Sequence, residues 1–164
     1  FLAGGSGDDI LFGMFGEDRL IGGAGSDLII GGRGDDEMTG NDGADIFFYG
    51  GVPLGGDVDT ITDFTTGEDV IEFDAASFGF AGGGDLPAGA FQLGTAADDA
   101  EDRFIYDTVS GDLFFDADGD GAGAQVLVAN LGAGTVLLSS DISLFEPSKA
   151  AGAEALYGAD FAIV

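Results

Sequence analysis

The chain has no cysteine, no histidine and no tryptophan, and it sets four basic residues against 31 acidic ones. Each shortage excludes something. Without cysteine no disulfide braces the fold, and the redox compartment is left open. Without histidine there is no HExxH motif and no Ser–His pair, and with cysteine also missing the usual zinc ligands are gone. Gly-x-Ser-x-Gly and Walker loops are absent too. Carboxylates are so common that pairs of them are no evidence for acid–base catalysis. A formal charge of −27 repels nucleic acid and anionic membrane surfaces. No run of 18 apolar residues exists to span a membrane, so neither a nucleic-acid partner nor membrane insertion is expected.

Glycine is what the chain has in excess: 32 of 164 residues, beside 45% hydrophobic residues that still permit a core. Many of these glycines fall in one phrase of nine residues, repeated five times without insertion: GGSGDDILF (4–12), GMFGEDRLI (13–21), GGAGSDLII (22–30), GGRGDDEMT (31–39) and GNDGADIFF (40–48). The first six residues are a turn in which glycine permits dihedrals closed to other residues. So tight a turn gathers its carbonyl oxygens, and its sixth residue is always an aspartate: Asp9, Asp18, Asp27, Asp36 and Asp45. An all-oxygen ligand set suits Ca²⁺, which accepts six to eight oxygens in flexible geometry; Mg²⁺ demands a stricter octahedron. The last three residues are a strand with one large apolar residue at its centre: Leu11, Leu20, Ile29, Met38 and Phe47. So short a strand buries its side chain only by stacking on other copies. With two copies per coil, Leu11, Ile29 and Phe47 line one sheet and Leu20 and Met38 the other. A flexible glycine-rich linker would not hold aspartate and apolar residue in register over five copies.

These residues resemble the RTX family, the hemolysin-type calcium-binding repeats of bacterial secreted proteins. The resemblance implies an all-β fold, a right-handed parallel β-roll with Ca²⁺ held between the turns of alternate repeats. It also implies the ligands. One ion lies between Gly5, Gly7, Asp9 and Gly22, Ala24, Asp27. A second lies between Met14, Gly16, Asp18 and Gly31, Arg33, Asp36. A third lies between Gly23, Gly25, Asp27 and Gly40, Asp42, Asp45. A fourth uses Gly32, Gly34 and Asp36 with whatever follows residue 48. Asp27 and Asp36 then each bridge two ions. Met14 and Asn41 stand where the pattern has glycine; asparagine enters the left-handed region readily, so Met14 is the weaker joint. Phe1-Leu2-Ala3 fits the end of a preceding copy, so the array is expected to continue upstream.

Beyond residue 48 the register is lost. Residues 49–58 read as a loop that ends a roll segment, 1–58. A β-rich, mostly antiparallel capping region is expected over 59–146, and a tail over 147–164. DTITDFTTGEDVIEF (59–73) reads as two strands around a Gly67 turn and resembles the segment closing the roll in serralysin-type proteins. Asp59 and Asp63 there are either ligands of terminal ions or the polar face of a hairpin, and Asp69 fits the second role better. Residues 74–100 read as mostly irregular. RFIYD (103–107) and DLFFD (112–116) form a hairpin; QVLVANL (125–131) and TVLL (135–138) add strands. The stretch Asp116-Ala117-Asp118-Gly119-Asp120-Gly121 opens like an EF-hand loop, but its twelfth position is Leu127 rather than glutamate and its flanks are strands. Asp116, Asp118 and Asp120, with Asp107 across the hairpin, are either a metal turn or an acidic β-turn without one. SKAAGAEALYG (148–158) reads as a short helix stopped at Gly158. The closing Asp160-Phe161-Ala162-Ile163-Val164 resembles the C-terminal signal read by ATP-driven type I exporters, which would make Val164 the natural end.

The function these features favour is a calcium-binding module that folds on meeting Ca²⁺ outside the cell and carries the export signal of a larger secreted protein. Its partner during export is the type I exporter. The alternative is a structural or adhesive segment of a bacterial surface layer or fibre, self-assembling through Ca²⁺. Catalysis, as in the proteases, lipases and epimerases that carry such tails, has no motif in this stretch.

Overall fold

A computed structural model describes residues 1–53 and 56–147. The expected C-terminal helix and export signal lie outside the described residues. Six strands follow the repeats: β1 (Leu2–Ser6), β2 (Ile10–Phe15), β3 (Arg19–Ala24), β4 (Leu28–Arg33), β5 (Glu37–Asp42) and β6 (Ile46–Tyr49). Next come β7 (Asp59–Ile61), β8 (Val70–Asp74), β9 (Gly84–Asp85), β10 (Phe91–Leu93), β11 (Phe104–Asp107), β12 (Asp112–Phe115), β13 (Val126–Asn130) and β14 (Ile142–Phe145). The one helical element among the described residues is a 3₁₀ turn, Ser139–Asp141.

From β1 to β8 the strands alternate between two sheets, as a parallel β-roll requires. One runs β1-β3-β5-β7-β13-β12-β11-β10 and the other β2-β4-β6-β8-β14-β9. Pairing within the array is parallel and steps by two repeats: Leu2 opposite Leu20 and Leu20 opposite Met38 in the first sheet, Leu11 opposite Ile29 and Ile29 opposite Phe47 in the second. Each central apolar residue therefore lands on its equivalent, and Leu20, Ile29, Met38 and Phe47 are fully buried between the sheets. Leu2 takes the same inward place at the start of the stack.

Both sheets run unbroken across residue 58. DTITDFTTGEDVIEF is not a hairpin: β7 adds in parallel to β5 and β8 to β6, on opposite sheets. The reason lies in the interior, where Ile61 and Ile71 extend the two buried columns by one more coil. In the capping region β11–β12, β12–β13 and β9–β14 are antiparallel, while β13 joins β7, β14 joins β8 and β10 joins β11 in parallel. The expected hairpin of 103–107 with 112–116 is present, Phe104 facing Phe115. TVLL forms no strand. Its carbonyls are taken by side chains, Thr135 by the Tyr106 hydroxyl at 2.8 Å and Val136 by the Thr66 hydroxyl, and the next ladder is β14 instead. Aromatic rings seal the interior at this end, with Phe73 centred 4.5 Å from Phe104 and Phe78 4.9 Å from Phe115. Such pairs add about 1 kcal/mol each beyond the area they bury.

Candidate metal centre

The repeat aspartates form two hydrogen-bonded ladders up the turns. Asp27 Oδ1 accepts the Asp9 N–H at 2.8 Å, Asp45 Oδ1 the Asp27 N–H at 2.9 Å, and Asp69 Oδ1 the Asp45 N–H at 3.0 Å. In the second ladder Asp36 Oδ1 accepts from Asp18 at 2.8 Å and Asp59 Oδ1 from Asp36 at 3.0 Å. One oxygen of each carboxylate is thus committed to the backbone of the rung two repeats earlier. The second oxygens of Asp9, Asp27, Asp36 and Asp45 are buried and accept nothing. A buried carboxylate oxygen without a partner is expensive, by about 1–3 kcal/mol or more for a charged group.

Glycine at the first position of the repeat makes room for that oxygen. A Cβ on Gly4 would stand 2.6 Å from Asp9 Oδ2 and 2.7 Å from the Gly22 carbonyl oxygen. On Gly22 it would strike Asp27 Oδ2 and come within 2.9 Å of the Gly40 oxygen. Carboxylate and carbonyl oxygens thus converge beside one small residue, from a turn and from the turn stacked on it. At the second and fourth positions the stacked turns touch through backbone: the Gly5 carbonyl meets Gly23 and the Gly7 carbonyl meets Gly25, where no side chain fits. The same contacts recur one rung on, Met14 carbonyl on Gly32 and Gly16 carbonyl on Gly34. The third-position carbonyls of Ala24, Arg33 and Asp42 accept the N–H groups of Gly7, Gly16 and Gly25 at 2.7, 2.8 and 2.9 Å. Each keeps a second lone pair. Gly31 packs on Asp36 Oδ2 and Gly40 on Asp45 Oδ2 in the same way.

Met14 occupies the left-handed region with φ 77°, as Asn41 does with φ 70°. The turn keeps its shape around the substitution, and the Met14 side chain stays 70% exposed. Asp18 is partly exposed.

Burial without a counter-charge shows in the titration of these groups. It raises the Asp36 and Asp69 carboxyls above the ordinary range, Asp45 to about 6 and Asp59 to about 7, although the ladder N–H bonds oppose it. The neighbouring carboxylates push the same way, Asp36 on Asp59 and Asp69 on Asp45. Four buried acids that resist ionisation, stacked in two columns, are groups whose burial cost a hard cation would relieve.

The remaining candidates fall differently. Asp59 belongs to the second ladder. Asp63 turns both oxygens to backbone, accepting Gly40 N–H at 2.9 Å and Asn41 N–H at 2.8 Å. Asp69, which reads from sequence as hairpin surface, is buried and closes the first ladder, its other oxygen accepting Thr65 N–H at 2.7 Å. The signal for it is the triplet Asp-x-apolar, for Asp69-Val70-Ile71 and Asp59-Thr60-Ile61 repeat Asp27-Leu28-Ile29 after the nonapeptide spacing has gone. Asp116, Asp118 and Asp120 do not converge. Asp116 accepts the Asp118 N–H at 3.1 Å, Asp118 the Gly123 N–H at 3.0 Å, and Asp120 donates its N–H to the Asp99 carbonyl at 3.0 Å. Asp107 caps its own hairpin through Val109 N–H and the Ser110 hydroxyl.

A family model described as the RTX calcium-binding nonapeptide repeat (4 copies) matches residues 1–29 and 21–51. Repeats of that family bind Ca²⁺ and are typical of secreted bacterial proteins. No curated protein matches the chain. Among solved structures it is similar to the AlgE6R3 subunit of the Azotobacter vinelandii mannuronan C5-epimerase, at 26% identity over 91% of this chain and 83% of that one, with a TM-score of 0.40. The β-roll follows from the strand register and not from that overlap. No helix among the described residues is long and apolar enough to cross a membrane. With nonapeptides matched over residues 1–51, strands stacked two repeats apart and carboxylate oxygens buried beside turn carbonyls, residues 1–51 of this chain are an array of RTX-type calcium-binding repeats.

Proposed function

We propose that the chain is a calcium-dependent folding module of a larger secreted protein, with its ions held between alternate turns of the roll. The observation that carries this reading is the row of buried, unpartnered Oδ2 atoms on Asp9, Asp27, Asp36 and Asp45. Bound Ca²⁺ supplies the positive charge these oxygens lack and takes carbonyl oxygens as further ligands. Asp9 with the Gly22 and Ala24 carbonyls would hold one ion, together with Gly5, Gly7 and the Asp27 carboxylate. The equivalent sets would be Met14, Gly16 and Asp18 with Gly31, Arg33 and Asp36, and Gly23, Gly25 and Asp27 with Gly40, Asp42 and Asp45. Gly32, Gly34 and Asp36 would meet Asp59 in the segment that follows. Asp69 extends the first column, and Asp63 braces the fifth turn.

The energetics suit folding outside the cell. Extracellular Ca²⁺ modules bind at about 10⁻⁴–10⁻³ M, so the sites stay empty in a low-calcium cytosol. At about ten times Kd each site adds roughly 1.4 kcal/mol, and four add roughly 5–6. That is the scale of a small domain's whole stability, about 5–15 kcal/mol. The acidic excess opposes compaction until cations reach the turns. An unfolded, self-repelling chain is what a type I exporter requires, and the acidic-then-apolar end Asp160–Val164 is the segment it would read.

Native mass spectrometry across a Ca²⁺ titration tests the assignment. The natural chain should load several ions cooperatively and no Mg²⁺ in their place, and Asp27→Ala should lose two of them. Loss of a single ion, or none, would remove the bridging role of Asp27 from this account.

A further inference from the structure

Counting nines, the first position of the repeat is glycine at 4, 13, 22, 31 and 40, and the next count falls on Tyr49. Tyr49 closes β6, two places after Phe47, and so faces inward with it. Its ring stacks on Phe73, its neighbour across on β8, with centroids 5.4 Å apart. In the earlier turns a first-position glycine admits the carboxylate oxygen of that turn's own aspartate, as Gly31 does for Asp36 Oδ2. Ten positions separate Tyr49 from Asp59, where five separate Gly31 from Asp36. The longer turn thus has a phenol at the place where the repeat has glycine.

Tyr49 is 6% exposed, and its hydroxyl makes no hydrogen bond. A chain that uses phenylalanine 15 times could fill the same place without burying an idle polar group. Other polar groups stand close by. Tyr49 lines one cleft with Gly32, Gly34, Asp57 and Asp59. Burial, then the Asp59 carboxylate and after it Asp36, hold the phenol well above its ordinary range. Asp59 is itself buried, and its Oδ1 already accepts the Asp36 N–H at 3.0 Å. Gly32, Gly34, Asp36 and Asp59 are the residues that would hold the last ion of the second column, and the idle hydroxyl lies among them.

We propose that Tyr49 is the positioning residue of that last site: with the ion in place its hydroxyl donates to the Asp59 oxygen not used by the Asp36 N–H, and holds the carboxylate on the ion. The inference rests on the calcium reading proposed above. It also makes the last site unlike the others, where first-position glycine leaves the aspartate oxygen to the cation alone. Through the Tyr49 ring the site is tied to Phe73, whose ring lies 4.7 Å from Phe78 and 4.5 Å from Phe104. Loading of the last ion is therefore linked to the aromatic packing of the capping region.

Tb³⁺ emission on the full chain tests it, since Tb³⁺ takes the oxygen ligands of Ca²⁺ and emits when a nearby tyrosine passes on its excitation. The chain has no tryptophan and three tyrosines, so a Tyr157→Phe background leaves Tyr49 and Tyr106 as donors. In that background Tyr49→Phe should remove most of the emission. Tyr106→Phe, at a hydroxyl that already donates to the Thr135 carbonyl, should spare it. Asp59→Asn, which keeps the phenol, should silence it too. Native mass spectrometry should show Tyr49→Phe loading its last Ca²⁺ at about tenfold higher concentration with the other ions unmoved, circular dichroism checking the fold. Emission that survives Tyr49→Phe or Asp59→Asn, or a last ion that Tyr49→Phe does not shift, would overturn this inference alone. A chain that binds neither Ca²⁺ nor Tb³⁺ would overturn the calcium reading and this inference with it.

Discussion

At the scale of single residues, the nonapeptide assigns each position a separate physical task. Under the proposed function the aspartate is a ladder acceptor through Oδ1 and a cation ligand through Oδ2, so its removal would lose two interactions at once. Asp27 holds the Asp9 N–H and is itself held by Asp45, with a proposed site on either side. Asp27→Ala should therefore raise the Ca²⁺ midpoint of folding more than Asp9→Ala, and equal midpoints would contradict the shared-ligand geometry. Met14 is the opposite case, a residue the turn tolerates rather than uses. A side chain in the left-handed region costs about 1–2 kcal/mol, part of which returns when glycine loosens the unfolded chain. Met14→Gly should thus stabilise the Ca²⁺-loaded protein by about 1 kcal/mol in urea unfolding. A destabilised variant would mean that the exposed methionine makes a contact worth more than the strain.

At the scale of elements, the array was legible because one period sets both the strand and the turn. Leu11, Ile29 and Phe47 could be assigned to one sheet, and Leu20 and Met38 to the other, by counting nines. Past Phe48 the count fails, since the ladder steps from 18 residues to 24 between Asp45 and Asp69 and to 23 between Asp36 and Asp59. The extra residues fall between β6 and β7, and the two sheets continue past them. A segment with two alternating strands and a Gly67 turn then looks like a hairpin locally, and only the buried columns of Ile61 and Ile71 show that it is another coil. TVLL failed for a different reason: its apolar run is right for a strand, but Tyr106 and Thr66 take its carbonyls. The acidic turn at 116–121 has the residue types of a metal loop, yet its three carboxylates do not converge, and backbone N–H groups take one oxygen each of Asp116 and Asp118. Asp69 should therefore matter as much as a repeat aspartate. Asp69→Ala leaves the buried Asp45 N–H and the Thr65 N–H without acceptors and should destabilise the folded protein by about 2 kcal/mol, measured by denaturant unfolding in saturating Ca²⁺. A change near zero would place the end of the roll before β8.

At the scale of the molecule, charge and burial oppose each other, and protons and Ca²⁺ are alternative ways to relieve the conflict. Asp45 and Asp59 titrate near 6 and 7 in the folded, ion-free chain against an ordinary 3.8. Between those values the folded state binds protons that the unfolded state does not, so its stability rises as pH falls from 7 toward 4, and the penalty is complete above 7. In chelator the chain should accordingly gain β-structure on acidification from pH 7.5 to 5. In the same range the Ca²⁺ midpoint should move to higher concentration, because protons compete for the same oxygens. A midpoint independent of pH would mean that these carboxylates do not ligate.

The most direct measurement is far-UV circular dichroism at neutral pH, first after exhaustive dialysis against EGTA and then through a Ca²⁺ titration with Mg²⁺ as control. If, as proposed, ions between stacked turns decide whether this roll exists, the dialysed chain should lack ordered β-structure and regain it cooperatively at millimolar Ca²⁺ but not Mg²⁺. A full β spectrum in EGTA would show that the apolar columns from Leu11 to Ile71 hold the roll without metal, and would contradict the account.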